Sequence, residues 1–284
     1  MQKTLSEILE IEGIGLHSGL PSKMTFYPAE AESGVVFTRS DLPNKPEFKA
    51  VYNQVVDTQN CTCLGNANRE IVSTIEHIMA ALYILGIDNV RIDVTNSETP
   101  IMDGSAKVFY EQLKKIPLKE LPAKRKYLKV LREVEFADGK GAKIVLKPAD
   151  KFNIHFTIDF PSKIVGHQEF SGEINEDVFG QKIAPARTFC EKYQVDYLRS
   201  VGLIKGGSLE NAVVLDGEKI LNEGGFRVEN EAVNHKVLDC IGDMYTSGYR
   251  LLAKVEAERS GHFHNNEVLK ILFSNPNNYQ LIEE

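Results

Sequence analysis

Two side chains near the C-terminal end of the chain could together bind a divalent metal ion. His235 and Asp239 are four residues apart in the segment His-Lys-Val-Leu-Asp, and Asp243 follows one turn later. On a helix, residues at this spacing lie on one face, so an imidazole and a carboxylate on adjacent turns can hold the same ion. With a third ligand from a distant segment, the fourth tetrahedral position stays open for water, which is the arrangement of catalytic zinc sites.

The residues around this pair predict a helix from about Glu231 to Thr246 that ends before Gly248. Short motifs are weak evidence, so an exposed helix with an ordinary His/Asp pair is the simpler alternative. A strand is expected next, followed by a turn that ends at His262. The side of the helix that faces away from the pair would pack against a core through five apolar residues, which are Val233, Val237, Leu238, Ile241 and Met244.

A second predicted helix far upstream carries another histidine. Ser73-Thr-Ile-Glu76 has the spacing of a capping box, and the apolar run after it ends at Gly86, a helix stop. On this interpretation Glu76 reaches back to the Ser73 amide, and His77 is a histidine on a helix face whose hydrogen bonds are satisfied. A chemical role for either residue needs support from the rest of the chain.

Composition limits the class of protein. At 284 residues, with 42% hydrophobic and 26% charged residues, the chain can form one large or two modest domains. The formal net charge of −7 and the lack of a Lys/Arg block argue against a nucleic-acid partner. The start lacks the apolar region of a signal peptide, and the longest apolar run, Ile78 to Ile87, is about half of what spans a bilayer. We therefore expect a cytoplasmic protein without a transmembrane segment.

The four cysteines are expected to be reduced in that compartment. Cys61 and Cys63 are two residues apart and lack the matching second pair of a zinc site. We expect both to be small buried side chains.

The pattern of short strands and few helices predicts an α+β fold, within which a faint repeat occurs. Lys23 to Glu30, followed by Gly34 to Arg39, resembles Lys143 to Asp150, followed by Asn153 to Asp159. Each copy has a Pro-Ala-acid turn and then a strand containing Phe-Thr. The repeat indicates two similar tandem domains of layered sheets and helices.

The domain boundaries are predicted from prolines. Pro117 and Pro122 lie in a segment of mixed charge, which makes 118–125 the predicted linker. The first α+β domain is then 1–117 and the second is 126–284.

Eight segments together resemble the UDP-3-O-acyl-N-acetylglucosamine deacetylases, the zinc amidases of lipid A synthesis in bacteria. Each segment is weak evidence alone, but eight in the same order over nearly the whole chain are highly specific. The segments are Gly13-Ile-Gly-Leu-His-Ser-Gly19, Cys61-Thr-Cys-Leu64, Ser73-Thr-Ile-Glu-His-Ile78, Pro100-Ile-Met-Asp-Gly-Ser105, Pro185-Ala-Arg-Thr-Phe189, Gly206-Gly-Ser208, His235-Lys-Val-Leu-Asp239 and Ser260-Gly-His262.

The resemblance implies a zinc ion held by His77, His235 and Asp239, a ligand set that suits a divalent ion with an open position. It implies that Glu76 is the general base. Adjacent helical residues diverge by about 100°, so Glu76 cannot share the direction of His77 and suits a base better than a ligand.

Three further catalytic roles are implied by the resemblance. As an imidazolium, His262 would stabilise the oxyanion and pass a proton to the leaving amine. Asp243 would hydrogen-bond His262 and keep it oriented and charged. Thr188 would donate its hydroxyl to the same oxyanion, although a β-branched strand residue is an equally good interpretation of that threonine.

Substrate contacts are also implied by the resemblance. Lys236 matches a lysine that contacts the nucleotide diphosphate, and Phe189 matches a residue that packs on the sugar. An insert at about 190–216 of the second domain would form a hydrophobic passage for the acyl chain. Its candidate lining residues, equally consistent with the core of a small βαβ unit, are Leu198, Val201, Leu203 and Ile204.

Two positions depart from the family pattern. Asn234 stands where a bulkier or basic residue is more usual, and Phe263-His264 stands where small and aliphatic residues are typical. His264 is an extra imidazole near the site and is expected to be a solvated or packing residue.

The implied activity is zinc-dependent hydrolysis of the acetamide of UDP-3-O-(3-hydroxyacyl)-N-acetylglucosamine, the committed step of lipid A biosynthesis. The implied protein is a monomer with its metal site at the interface of two domains, each with a small insert. The alternatives are a zinc amidase for another N-acetyl sugar, a non-catalytic nucleotide-sugar or lipid-binding protein, and a cysteine hydrolase that uses Cys190. The acyl-passage segment argues against the first alternative, and the intact ligand set argues against the second.

Overall fold

The chain forms an α+β fold with several mixed sheets and six helices. The computed structural model describes residues 1–284. The part up to residue 120 contains helices α1 (Glu76–Leu85) and α2 (Lys107–Lys114). Its strands are β1 (Lys3–Leu5), β2 (Leu9–Ile14), β3 (Pro21–Pro28), β4 (Val35–Arg39), β5 (Glu47–Lys49), β6 (Val55–Asp57), β7 (Cys63–Gly65), β8 (Ile71–Val72), β9 (Val90–Val94) and β10 (Leu118–Glu120).

The remainder of the chain contains α3 (Glu176–Val178), which continues into a π-helical turn, and the longer helices α4 (Lys192–Ser200), α5 (Glu231–Tyr245) and α6 (His262–Ser274). Its strands are β11 (Lys126–Val130), β12 (Val134–Ala137), β13 (Lys143–Pro148), β14 (Asn153–Asp159), β15 (His167–Glu173), β16 (Phe189–Glu191), β17 (Val213–Asp216), β18 (Lys219–Ile220), β19 (Arg250–Glu258) and β20 (Tyr279–Glu283).

The two largest sheets share one strand order. The first runs β2-β3-β9-β4-β5, in which only β9 and β4 are parallel. In the second sheet, which also contains β11 and β20, the strands β12-β13-β19-β14-β15 repeat this order. Among these five strands only β19 and β14 are parallel, and β19 also pairs in parallel with β11. The strands β3 and β13 both end at the proline of the Pro-Ala-acid sequence. The repeated segments therefore occupy equivalent places in the two sheets.

Several sheet strands, such as β3, β14 and β19, bury every second side chain, because successive side chains of a strand point to opposite faces. In β19, Leu251, Ala253, Val255 and Ala257 are buried, while the residues between them are half-buried. One connected apolar core extends through both halves of the chain.

Helices α1 and α5 lie against each other in the interior and carry the candidate metal ligands. α5 is buried along nearly its whole length, because it packs on β14, β15 and α6 as well as on α1. The exposed-helix alternative for this segment is therefore wrong. The two helices meet closely at Gly242, where a Cβ atom would lie 2.0 Å from the main-chain oxygen of Glu76. Only glycine allows this approach.

We expect Gly242→Ala to lower the free energy of unfolding by about 1 to 3 kcal/mol, the usual range for an overpacked core. The added methyl group meets main chain, which cannot rotate away, so the helices must separate. Denaturant unfolding measures the change. Gly172→Ala is the control, since its Cβ would meet only Phe170, at 3.8 Å. Equal unfolding midpoints for the two variants would contradict the prediction.

Residues 118–125 contain β10, which pairs antiparallel with β1. At the end of this segment Arg125 donates to the carboxylate of Asp88 at 2.7 Å. The segment therefore connects the start of the chain to the second half. No helix of the chain has the length and apolar character needed to cross a bilayer.

All four cysteines are free. Cys61 and Cys63 are buried, as expected, with exposed fractions of 7% and 4%. Burial raises the pKa of the Cys190 thiol, which makes this residue a poor nucleophile and weakens the cysteine-hydrolase alternative.

Candidate active site

A cavity of about 1020 Å³ brings together the candidate residues of both halves. α1 contributes Glu76 and His77, and α5 contributes His235 and Asp239. His262 enters from the start of α6. The cavity is therefore built where the two central helices meet, and α4 and its flanking strands lie along it.

The three candidate ligands converge on one point. Asp239 Oδ1 lies 3.7 Å from His77 Nε2 and 3.5 Å from His235 Nε2, and all three ligand atoms are within 4.8 Å of one another. These separations are too long for hydrogen bonds. They match the spacing of about 3.3 Å expected between ligands on a tetrahedral zinc ion with bonds of about 2.0–2.2 Å.

Neighbouring groups orient two of the three candidate ligands. His235 Nδ1 donates to the main-chain oxygen of Ala186 at 3.0 Å, which leaves Nε2 as an acceptor facing Asp239. Lys236 Nζ donates to Asp239 Oδ2 at 2.8 Å and leaves Oδ1 free. His77 is 3% exposed, and its Nδ1 has no hydrogen-bond partner. Three buried acceptor atoms without a donor between them form a site that fits a cation.

The protonation states also suit metal binding. Burial and the neighbouring His235 lower the pKa of His77 to about 3, and burial lowers the pKa of His235. Burial raises the pKa of Asp239, but His235 and Lys236 outweigh this effect and hold it below its usual range. Two neutral imidazoles and one carboxylate are the ligand forms that zinc requires.

Glu76 is the first residue of α1, and it does not form the predicted capping box. The Ser73 amide donates instead to the Ser97 oxygen, in a bridge beside β8, and α1 has no side-chain cap. The Glu76 side chain turns toward the cavity, where Oε2 accepts from the Thr62 amide at 3.0 Å. Burial, the largest effect, and the carboxylates of Asp239 and Asp243 raise its pKa to about 7, against the opposing effect of His262.

His262 begins α6 and is paired with Asp243. Its Nδ1 donates to Asp243 Oδ2 at 2.8 Å, and its Nε2 lies 4.0 Å from Asp239 Oδ2. Burial alone would lower the pKa of His262. The carboxylate of Asp243, with Glu76 and Asp239 adding to it, overcomes this effect and raises the pKa to about 9. A pKa in this range keeps the His262 imidazole protonated at neutral pH.

Thr188 and Phe189 line the cavity beside the ligands. Main-chain hydrogen bonds hold Thr188 on both sides, from its amide to Gly104 and from Val213 to its oxygen. The Phe189 ring lies 6.4 Å from the His235 ring and 5.1 Å from the Phe160 ring, centroid to centroid. Phe160 also lines the cavity and adds an aromatic wall that sequence reasoning missed.

The segment expected to form an insert is a βαβ unit, in which β16 and β17 are parallel and α4 connects them. Leu198 and Ile204 line the cavity, whereas Leu203 and Val201 do not. Val201 is 50% exposed. Of the two leucines expected to bind substrate, Leu198 therefore lines the cavity, while Leu203 is half-buried outside it.

The two unusual positions have local partners. Asn234 donates from Nδ2 to the Glu229 oxygen near the start of α5. His264 lies 3.5 Å from Asp138 and packs against Phe136, at the edge of the cavity.

Two buried residues that sequence reasoning missed organise the cavity wall. Glu98 accepts from the amides of His17 and Ser18 and so holds the loop that brings His17 to the cavity. Thr62 contacts both Glu76 and Asp243. Thr62 lies within the motif Cys61–Leu64, which could have pointed to it, whereas no motif contains Glu98. His17, in the loop that Glu98 holds, lies within the motif Gly13–Gly19.

Comparisons with known proteins agree with the resemblance seen in the sequence. The family model described as LpxC, UDP-3-O-acyl N-acetylglycosamine deacetylase, matches residues 2–274. Three similar proteins bear the name UDP-3-O-acyl-N-acetylglucosamine deacetylase. The one from Nautilia profundicola is 45% identical over 276 residues, which is 95% of this chain and 91% of that protein. The one from Pasteurella multocida is 41% identical over 99% of this chain and 92% of that protein, and the one from Aliarcobacter butzleri is 39% identical over 99% and 93%. This chain therefore belongs to the UDP-3-O-acyl-N-acetylglucosamine deacetylase family.

Proposed function

We propose that this chain hydrolyses the acetamide of UDP-3-O-acyl-N-acetylglucosamine at a zinc ion held by His77, His235 and Asp239. Water is consumed, the amide C–N bond breaks, and acetate and the free amine leave, a reaction of lipid A biosynthesis. Family membership gives the reaction. The observation that carries the site is the convergence of three ligand atoms within 4.8 Å, beside a buried carboxylate and an imidazole in one cavity.

Glu76 is the general base. A bound zinc ion acidifies water and polarises a carbonyl oxygen. Glu76 takes the proton as water attacks the acetyl carbon, and its pKa near 7 lets it accept a proton at neutral pH and release it later. The Thr62 amide binds one carboxylate oxygen, so the other oxygen faces the cavity.

His262 is the general acid. Its imidazolium places positive charge beside the oxygen that becomes negative during the attack, and it then gives its proton to the leaving nitrogen. Asp243 holds the ring by Nδ1, which directs Nε2 to the site. The hydroxyl of Thr188 adds a second donor to the developing oxyanion.

The rest of the cavity suits an acylated nucleotide sugar. Phe189 packs on the sugar ring, and Lys236 offers a cation for the diphosphate while it holds Asp239. Leu198 and Ile204 of the βαβ unit contact the acyl chain. About 1020 Å³ is at the upper end of small-molecule cavities, as a substrate with three such parts requires.

The two halves, 1–117 and 126–284, are proposed to be domains of one repeated design, joined by 118–125. The shared strand order of the two large sheets supports this division. In each half, the helix before the parallel central strand, α1 or α5, carries metal ligands. The zinc site then lies at the interface between the domains.

Metal analysis combined with an acetate-release assay tests the proposal. We expect about one zinc ion per chain, loss of activity with a strong chelator, and recovery when zinc is added back. His235→Ala should lose most of the zinc, because one of three protein ligands is removed. His264→Ala, a nearby histidine outside the ligand set, should keep it. Full zinc occupancy in His235→Ala would show that the ligand assignment is wrong.

A further inference from the structure

Thr62 uses three of its atoms to connect the two sides of the site. Its amide donates to Glu76 Oε2 at 3.0 Å, and its main-chain oxygen accepts from the Ile75 amide at 3.4 Å. Its hydroxyl donates to Asp243 Oδ1 at 2.5 Å. Glu76 begins α1, Ile75 immediately precedes it, and Asp243 belongs to α5, so Thr62 connects the start of one central helix to the other.

Thr62 does not line the cavity, and it is 3% exposed. Any effect it has on the reaction must therefore pass through the residues it holds. It lies between Cys61 and Cys63, just before β7, in a motif to which no catalytic or metal-binding role has been given above.

We propose that Thr62 is a positioning residue that fixes the general base and the carboxylate of the general acid relative to each other. This inference rests on the proposed function, since it concerns the geometry of that reaction. The main-chain amide of Thr62 binds the carboxylate of Glu76, and its hydroxyl binds the carboxylate of Asp243, which comes from the other half of the chain.

The hydroxyl is the part of Thr62 that Asp243 needs. Asp243 Oδ2 accepts from His262 Nδ1 and from Asn265 Nδ2, each at 2.8 Å. Oδ1 accepts from the Thr62 hydroxyl. Without that hydroxyl Oδ1 becomes a buried acceptor without a partner, and the carboxylate can turn about its Cβ–Cγ bond. His262, bound to the same carboxylate, would then move with it.

The amide of Thr62 is held in place partly by this hydroxyl bond. When the bond is lost, the segment before β7 loses its connection to α5, and the donor to Glu76 Oε2 shifts. Glu76 and His262 would therefore be misplaced together, while the metal ligands, which contact other groups, keep their arrangement.

Thr62→Val tests the proposal, because valine keeps the shape of threonine and lacks the hydroxyl. We expect kcat for acetate release to fall roughly 10- to 100-fold, the range for one lost hydrogen bond to a charged group, with KM within about threefold and zinc retained. Thr62→Ser should recover most of kcat. Thr38→Val is the matched control, since Thr38 is buried and its hydroxyl has no partner. If Thr62→Val does not fold, Thr62→Ala makes the same test with a smaller side chain.

A double-mutant cycle separates positioning from a general loss of structure. The variant with both Thr62→Val and Asp243→Asn should lose less activity than the product of the two single losses, because both changes break one network. Wild-type kcat in Thr62→Val, equal losses in Thr62→Ser and Thr62→Val, or fully multiplicative losses would each overturn the proposal.

A spectroscopic measurement keeps this inference separate from the proposed function. In the zinc-loaded protein, the proton on His262 Nδ1 should give an NMR signal that shifts or broadens in Thr62→Val and returns in Thr62→Ser. If the wild-type protein released no acetate, the proposed function would fail, yet this signal would still report on Thr62. An unchanged signal in Thr62→Val would overturn the positioning role.

Discussion

Glu76→Gln is expected to lower kcat for acetate release by about 10² to 10⁴, the usual contribution of a general base. Glutamine keeps the size of the side chain and an oxygen that can accept from the Thr62 amide. It removes only the ability to take a proton from water. Zinc content should stay at the wild-type level because Glu76 is not among the three converging ligands.

The stability of Glu76→Gln distinguishes the base from a helix cap. A cap would contribute about 1 kcal/mol, which its loss would remove. The structure places no cap at this helix, and a buried carboxylate is unfavourable when ionised, so we expect a melting temperature equal to or above that of the wild type. A less stable variant with wild-type kcat would mean that Glu76 has a structural role only.

His262→Ala is expected to lower activity by about 10² to 10⁴ without loss of zinc, because the variant has no imidazolium to protonate the leaving amine. In the wild-type enzyme kcat/KM should rise and then fall with pH. The rise occurs because Glu76, whose pKa is raised to about 7, must lose its proton before it can act as a base. The fall occurs because His262, whose pKa is raised to about 9, must keep its proton to act as an acid.

Asp243→Asn shows which group causes the fall at high pH. The charge of Asp243 raises the pKa of His262, and a neutral amide does not, so the descending limb should move to lower pH and kcat should decrease. The ascending limb reflects Glu76 coupled to the other ionising groups of the site. An alkaline limb unchanged in both Asp243→Asn and His262→Ala would mean that His262 orients the substrate by a hydrogen bond without titrating.

Local geometry made part of the site predictable. His235 and Asp239 share a helix, so their spacing alone placed them on one face, and the structure puts Asp239 Oδ1 3.5 Å from His235 Nε2. The α+β class followed from the pattern of short strands and few helices, and the repeat around Pro28 and Pro148 fell on equivalent strands. Each of these predictions depends on residues close together in the chain, whose relation is set by the period of one helix or strand.

The roles that depend on distant residues were not decided by local pattern. Ser73 and Glu76 fit a capping box, but each hydrogen-bonds a distant residue instead. The Ser73 amide donates to the oxygen of Ser97, 24 residues away, and Glu76 accepts from the amide of Thr62, 14 residues away. Nothing in the sequence distinguishes Leu198 from Leu203 as a lining residue. The packing of the βαβ unit places Leu198 at the cavity and Leu203 outside it.

The sequence by itself determined that His235 and Asp239 share one face of a helix, because helical spacing defines which side chains point the same way. Only the tertiary structure decided how Glu76 and His262 are held. Thr62 and Asp243 are 181 residues apart, and their hydrogen bond forms where the segment before β7 meets α5. A contact of this kind depends on the sum of many weak packing interactions over the whole core, and no short segment of sequence contains it.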